Sequence, residues 1–171
     1  SPAIDAIEYY TLASAGNGID FGNLTSTGRR YTSSFSSSTR GFSAGGKDDP
    51  AVTNEIDYVE IGTLGDALDF GDQRVARYSK GSFASSTRGF DAGGSTPSLK
   101  TDIEYVTISS QGGGNDFGDL IEARSYCGGA SNATRGIIAG GNINPTPGTL
   151  TSTIESVEMA TTAEASDFGD L

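Results

Sequence analysis

The sequence predicts an all-β protein assembled as a tandem array of four-stranded antiparallel sheets, with no single core around one unique site. Three observations point there. The tripeptide Asp-Phe-Gly occurs four times, at Asp20-Phe21-Gly22, Asp69-Phe70-Gly71, Asp116-Phe117-Gly118 and Asp167-Phe168-Gly169, with its phenylalanines 49, 47 and 51 residues apart. Self-similarity at a fixed period of this length identifies a repeat architecture. A second mark lies between consecutive tripeptides: Thr39-Arg40-Gly41 leads to Ala44-Gly45-Gly46, Thr87-Arg88-Gly89 to Ala92-Gly93-Gly94, and Thr134-Arg135-Gly136 to Ala139-Gly140-Gly141. Finally, no stretch sustains a 3.6-residue apolar period between helix caps, whereas short β-branched and aromatic segments recur between Gly, Ser and Asp turns.

The remaining positions keep the same register. Tyr9, Tyr58, Tyr105 and Ser156 each stand twelve residues before the repeated phenylalanine. Two residues further back are Ile7, Ile56, Ile103 and Ile154, each followed by an acid: Glu8, Asp57, Glu104 and Glu155. A further arginine, Arg30, Arg77 or Arg124, opens each Gly-pair stretch. Along one period, 103–108 alternates as Ile-Glu-Tyr-Val-Thr-Ile and reads as a strand. The glycine-rich 111–115 is a turn, and 116–123 is the strand after it. Residues 124–133, rich in small side chains, and 134–139, ending at a Gly pair, supply two more strands.

A four-stranded sheet every 50 residues or so is the unit of a β-propeller, since solenoid coils are shorter, about 20–30 residues. The expected division is a half-blade over 1–24 and blades over 30–72, 77–120 and 124–171. Closed propellers use about four to eight blades, and a half-blade leaves open strand edges. Three and a half blades therefore suggest a portion of a longer polypeptide, or a chain completed by a neighbouring subunit.

These repeats resemble the kelch family. A kelch blade has an arginine before its first strand, a double glycine closing its second, and aromatics in its third and fourth; Arg77, Gly93-Gly94, Tyr105 and Phe117 match those places. The likeness covers nearly the whole chain. It departs at the last position, where kelch blades carry tryptophan and this sequence has none, and in longer turns at 65–68 and 112–115. The wording of the repeats is similar to kelch-like repeats in structural proteins of tailed phages, especially marine and cyanobacterial ones. That resemblance implies a virion or extracellular location and a non-enzymatic role in a tail fibre, appendage or capsid decoration. Its partners would be other virion proteins, further copies of itself, or a host-surface glycan or protein. The alternatives are a cellular kelch scaffold and a glycan-binding or glycan-active propeller.

Composition narrows the chemistry. A net charge of −11, with 11 basic residues mostly spent on the repeated arginines, argues against a nucleic-acid groove. No apolar run is long enough to span a membrane. The absence of histidine removes Ser-His-Asp and Cys-His systems and most zinc sites. The lone Cys127 reads as a buried small side chain at the place of Gly81. Two glycosylation sequons, at Asn23 and Asn132, arise easily in so Ser/Thr-rich a chain. Asp-Phe-Gly resembles the magnesium motif of protein kinases, but the remaining kinase motifs are missing. Residues 112–120 resemble a calcium-binding nonapeptide, which functions only in tandem.

The paired acids Asp69/Asp72, Asp116/Asp119 and Asp167/Asp170 read as turn residues whose first carboxylate accepts backbone N–H bonds. No catalytic residue, metal or cofactor is expected. Arg40, Arg88 and Arg135 are expected to hold carboxylates or carbonyls between blades, so that Arg88→Ala costs a few kcal/mol. Binding specificity is expected in the least repetitive segments, 47–55, 95–102 and 142–153. Their candidate contact residues are Lys47, Asp48, Asp49, Ser95, Thr96, Asn142, Asn144 and Thr146.

Overall fold

The computed structural model describes residues 4–26, 28–144 and 148–171; Thr146 lies outside them. The described residues form strands and no helix. β1 (Ala6–Tyr9) and β2 (Ile19–Asn23) make a two-stranded sheet. Three four-stranded antiparallel sheets follow in chain order. The first contains β3 (Ser33–Ser36), β4 (Arg40–Asp48), β5 (Ala51–Glu60) and β6 (Leu68–Asp72); the second, β7 (Gly81–Ala84), β8 (Arg88–Ala92), β9 (Asp102–Thr107) and β10 (Asn115–Asp119). The third contains β11 (Gly128–Ser131), β12 (Arg135–Ala139), β13 (Thr153–Glu158) and β14 (Ser166–Asp170). Each is an up-and-down meander, as in a propeller blade. The described residues do not close a ring.

Every Asp-Phe-Gly is a β-bulge. Ile56 pairs with Gly71 and Asp57 with Asp69, so Phe70 is the extra residue; Phe21, Phe117 and Phe168 are extra in the same way. An inserted residue turns the strand locally, and here it brings Phe70 and Phe117 into the core, each 2% exposed. Gly71 (φ 138°) lies where any Cβ would press on the Gly112 carbonyl of the next sheet. That close approach is what the invariant place of this glycine serves.

The core is divided between sheets. Phe35, Phe42, Ala44, Ile56, Tyr58 and Phe70 on one face of the first sheet pack on Val106 and Ile108 of the second. Phe83, Phe90, Ile103, Phe117 and Leu120 of the second pack on Cys127, Ile138, Val157 and Met159 of the third. Each cluster is built on a ladder of rings. Phe83 stacks on Phe90 at 4.9 Å, and Phe117 meets Phe90 edge-on at 5.2 Å, both favoured aromatic geometries.

The linkers are held by buried ion pairs. Arg77 meets Glu104 at 2.7 Å, and Arg124 pairs with Glu155, with all four side chains at most 4% exposed. Arg77 also donates to the carbonyls of Gly93 and Asp102, and Arg124 to those of Gly140 and Thr153. The second carboxylate oxygen accepts a linker N–H, from Arg74 on Glu104 and from Ile121 on Glu155. In the first sheet this role belongs to Arg29, which pairs with Asp57, and not to Arg30, which is exposed and pairs with Asp49. The reason is register: Arg30 occupies the bridge position of Tyr78 and Ser125, one residue past the buried arginine.

Two strand boundaries differ from expectation. Residues 124–127 precede β11 instead of belonging to it, and β10 ends at Asp119, because the intervening linker turns in to place Arg124. Residues 47–55 are not a loop. β4 and β5 continue through Lys47↔Val52 and Asp48↔Ala51, leaving only Asp49 and Pro50 as the turn.

Candidate recognition surface

The segments that follow the three Gly pairs come together at one end of the array. Lys47, Ser95 and Asn142 bridge to Arg30, Tyr78 and Ser125 respectively. Beside them, Ser79 N–H donates to Tyr31 C=O at 3.0 Å and Tyr126 N–H to Ser79 C=O at 2.8 Å, tying the three openings together. Tyr31, Ser79 and Tyr126 occupy one register and all have positive φ, 56–58°. Side-chain-bearing residues rarely adopt this conformation, and such outliers collect at functional places.

The backbone there presents aromatic rings. Tyr31 lies 6.1 Å from both Tyr78 and Tyr126, and Tyr31 and Tyr126 remain 51% and 59% exposed. Lys47 sits over the Tyr78 ring at 5.8 Å and pairs with Asp49 at 2.6 Å, while Arg30 also pairs with Asp49. Asp48 is exposed, and Thr96, Asn142 and Asn144 are half-buried; Ser95 is buried and supports Tyr78 through its backbone. Tyrosines with apolar faces and polar tips, flanked by fixed charges, suit recognition by stacking and hydrogen bonding. Sequence reasoning missed these three residues because Tyr78 is one position out of register with the other two. The available signal was an aromatic within two residues of each buried arginine.

The repeated acids serve turns and linkers. Asp69 and Asp167 accept the N–H of Gly71 and Gly169 at 3.0 and 3.2 Å, as turn carboxylates do. Asp119 and Asp170 accept from Thr101 and Ser152, and Asp116 pairs with Arg74. Among the described residues no three His, Cys, Asp or Glu side chains converge as metal ligands. No helix there is long and apolar enough to cross a membrane.

The Thr-Arg-Gly arginines join adjacent sheets. Arg40 lies over Tyr58 and donates to the Ile108 carbonyl of the second sheet at 2.8 Å, with Glu60 on its Nε. Arg88 lies 4.4 Å from the Tyr105 centroid and donates to the Met159 and Ala160 carbonyls of the third sheet. Arg135 is exposed, pairs with Glu158 and lies 5.8 Å from the Phe168 ring centroid, both of its own sheet, and among the described residues it donates to no other sheet. The acceptors across the gap are neutral carbonyls, so Arg88→Ala should cost about 1–3 kcal/mol. A thermal melt checks this, with an unchanged midpoint counting against the role.

One titratable cluster is fully enclosed. Lys80 donates to Gln73 Oε1 at 2.9 Å and to the Ala44 carbonyl at 3.0 Å, with Asp91 3.6 Å away. Asp91 in turn accepts from Gln73 Nε2 and Ser33 Oγ, both at 2.6 Å. Burial pushes the Lys80 pKa down to about 8 against the opposing pull of Asp91. The corresponding residues between the second and third sheets are Cys127 for Lys80, Leu120 for Gln73, Ile138 for Asp91 and Gly81 for Ser33, an apolar set. Cys127 thus takes the place of Lys80, not of Gly81, whose counterpart is Gly128. Burial raises the pKa of its thiol.

A polar junction and an apolar junction therefore alternate on one frame. Lys80→Met alone should cost about 3–5 kcal/mol by stranding Asp91, whereas replacing all four polar residues by the apolar set should cost less than about 1 kcal/mol. Urea midpoints separate the two outcomes. Folded Lys80 loses its proton near pH 8 and unfolded lysine near 10.5. In that window the unfolded state binds more protons, so wild type should gain stability relative to Lys80→Met as pH rises from 8 to 10.5.

No family model matches the sequence, and no curated protein matches it.

Proposed function

We propose that this chain is a non-enzymatic recognition and assembly module of the kelch-like propeller type, in a virion component such as a tail fibre, appendage or capsid decoration. One observation carries the recognition role: the least repetitive segments of three repeats gather around exposed Tyr31 and Tyr126 and half-buried Tyr78. A constant frame with variable edges at one end is how repeat proteins write binding specificity. The virion assignment rests on the wording of the repeats. Its test is fractionation of a lysate containing intact particles. The protein should sediment with the particles and withstand mild salt washing; recovery only in the soluble fraction would refute the assignment.

The tyrosine cluster also favours a second reading, glycan recognition, because exposed tyrosine faces pack on sugar rings while their hydroxyls hydrogen-bond. A glycan array probed with wild type and Tyr31→Ser/Tyr126→Ser distinguishes the two. Signal lost in the double variant supports a lectin role; absence of signal with wild type leaves assembly contact as the function.

A further inference from the structure

We propose that Arg88 anchors a further binding site, between the second and third four-stranded sheets, that takes the carboxylate of an acidic sugar. The site lies at the opposite end of the second sheet from Tyr78: β8 starts at Arg88, and its far end leads to the Gly93-Gly94 pair and the Tyr78–Ser95 bridge. It does not rest on the function proposed for the tyrosine surface.

Three arginines share one place, the start of a second strand, but not one set of partners. Arg40 stands across from Glu60 and Arg135 across from Glu158, and each holds that carboxylate on Nε, at 2.7 and 2.8 Å. Arg88 stands across from Thr107 instead. Its Nη1 donates to the Met159 and Ala160 carbonyls, and its guanidinium lies 4.4 Å from the Tyr105 centroid. Among the described residues nothing accepts from its Nε or Nη2.

The cation is thus fixed on one side and unpaired on the other. Nε and Nη2 form the edge of a guanidinium that grips a carboxylate through two parallel hydrogen bonds. Stacking and the two carbonyls already hold the side chain in place, which spares an incoming anion the entropy of ordering it. That anion would take the place on Nε that Glu60 and Glu158 hold in the other two repeats.

The surroundings select a hydroxylated carboxylate. Arg88 lines a cavity of about 270 Å³ with Ser86, Thr87, Thr134, Met159 and Ala160. Among the described residues no acid lines it, in a chain that carries 22, so no carboxylate in its wall competes for the cation. Ser86, Thr87 and Thr134 are exposed, and among the described residues the Ser86 hydroxyl has no partner. Met159 and Ala160 add apolar wall, so the lining offers a sugar ring both hydrogen bonds and a surface for its CH groups. Pockets of about 300–1,000 Å³ take drug-sized ligands, and the smaller volume here suits a single ring.

The test titrates isotope-labelled protein with glucuronate, glucose and acetate, read at the arginine Nε–H and backbone amide resonances. With a net charge of −11 the chain repels anions in general, so saturable binding of one reports a local site. Glucuronate should bind one-to-one, with shifts at Arg88 Nε and at the amides of Thr87, Thr107 and Thr134. Glucose should give none, and acetate should bind about tenfold more weakly or worse. Thr107→Glu supplies the carboxylate that Arg40 and Arg135 already have. It should weaken glucuronate binding by about tenfold or more without lowering the melting midpoint. Binding should survive Tyr31→Ser/Tyr126→Ser. The proposal is overturned by the absence of saturable shifts, by unchanged binding to Thr107→Glu, or by glucose binding as tightly as glucuronate. Equal binding of acetate would also overturn it, making the site one for any carboxylate, an acidic protein side chain included. Loss of binding in the tyrosine double variant would overturn it by placing the sugar on the tyrosine surface.

Discussion

Gly89→Val should destabilise the protein by about 3 kcal/mol, while Gly41→Val, the same substitution at the same place one repeat earlier, leaves stability unchanged. Both glycines lie at the start of the second strand of a sheet and neither has positive φ, so backbone strain plays no part. The difference is packing. The Phe35 ring occupies the position of any side chain at 89, and that ring is itself fixed by stacking on Phe42 at 4.8 Å. It cannot yield without opening the cluster that contains Ile56, Tyr58 and Phe70. At 41 the added methyl groups enter open space beside Val59. For a chain of this length the predicted loss lowers the melting midpoint by about 6–12 °C. Phe35→Ala should restore part of it when combined with Gly89→Val, giving a coupling energy of about 0.5–3 kcal/mol. Equal losses at 41 and 89 would contradict this packing.

Arg124→Met should cost about 3–5 kcal/mol, the largest effect expected of any surface-to-core arginine here. Arg124 and Glu155 are both 0% exposed as side chains, and the guanidinium also donates to the carbonyls of Gly140 and Thr153. Removing it leaves a buried carboxylate without its cation and takes a donor from the Gly140 carbonyl, while Thr153 C=O keeps the Gly140 N–H. Arg124→Met with Glu155→Leu should recover most of the loss, since an apolar pair of similar volume substitutes well for a buried ion pair. Arg135→Ala should cost less than about 1 kcal/mol, because its pair with Glu158 lies in solvent. Urea midpoints compare the three variants. Similar losses for Arg124→Met and Arg135→Ala would show that burial does not set the cost.

The repeat and the strand order were legible in the sequence because each is local or recurs in register. The linker ion pairs were half legible. Both the acids after the isoleucines and the arginines were visible, but their pairing spans 28 residues for Arg29 and Asp57, 31 for Arg124 and Glu155. Nothing local separates Arg29 from Arg30, its neighbour. Only the buried position tells them apart. The 47–55 hairpin was obscured by Asp49-Pro50, which reads as a loop while Val52 and Thr53 continue the ladder. The Tyr31, Tyr78 and Tyr126 cluster and the Lys80 junction are contacts between repeats. Their members differ in type from one repeat to the next, so register alone could not join them. Ser125-Tyr126-Cys127 shares no aligned residue with Tyr78-Ser79-Lys80, and this is where the sequence register slipped by one.

The unequal junctions bear on how such an array is inherited. Thr39-Arg40-Gly41-Phe42 and Thr87-Arg88-Gly89-Phe90 are identical, a natural place for recombination that deletes 48 residues in frame. The shortened chain would retain Asp91 but lose both Gln73 and Lys80, and Ser33 would move into the same sheet as the carboxylate it now caps from a neighbour. Asp91 would then take the place of Ser43, which is half-buried and lines the open cavity with Leu24 and Gly41, so the acid would lose its lysine and amide together with its enclosure. The enclosed lysine cluster would thus vanish with the repeat, so its presence is a marker of the repeat number that near-identical segments make easy to change.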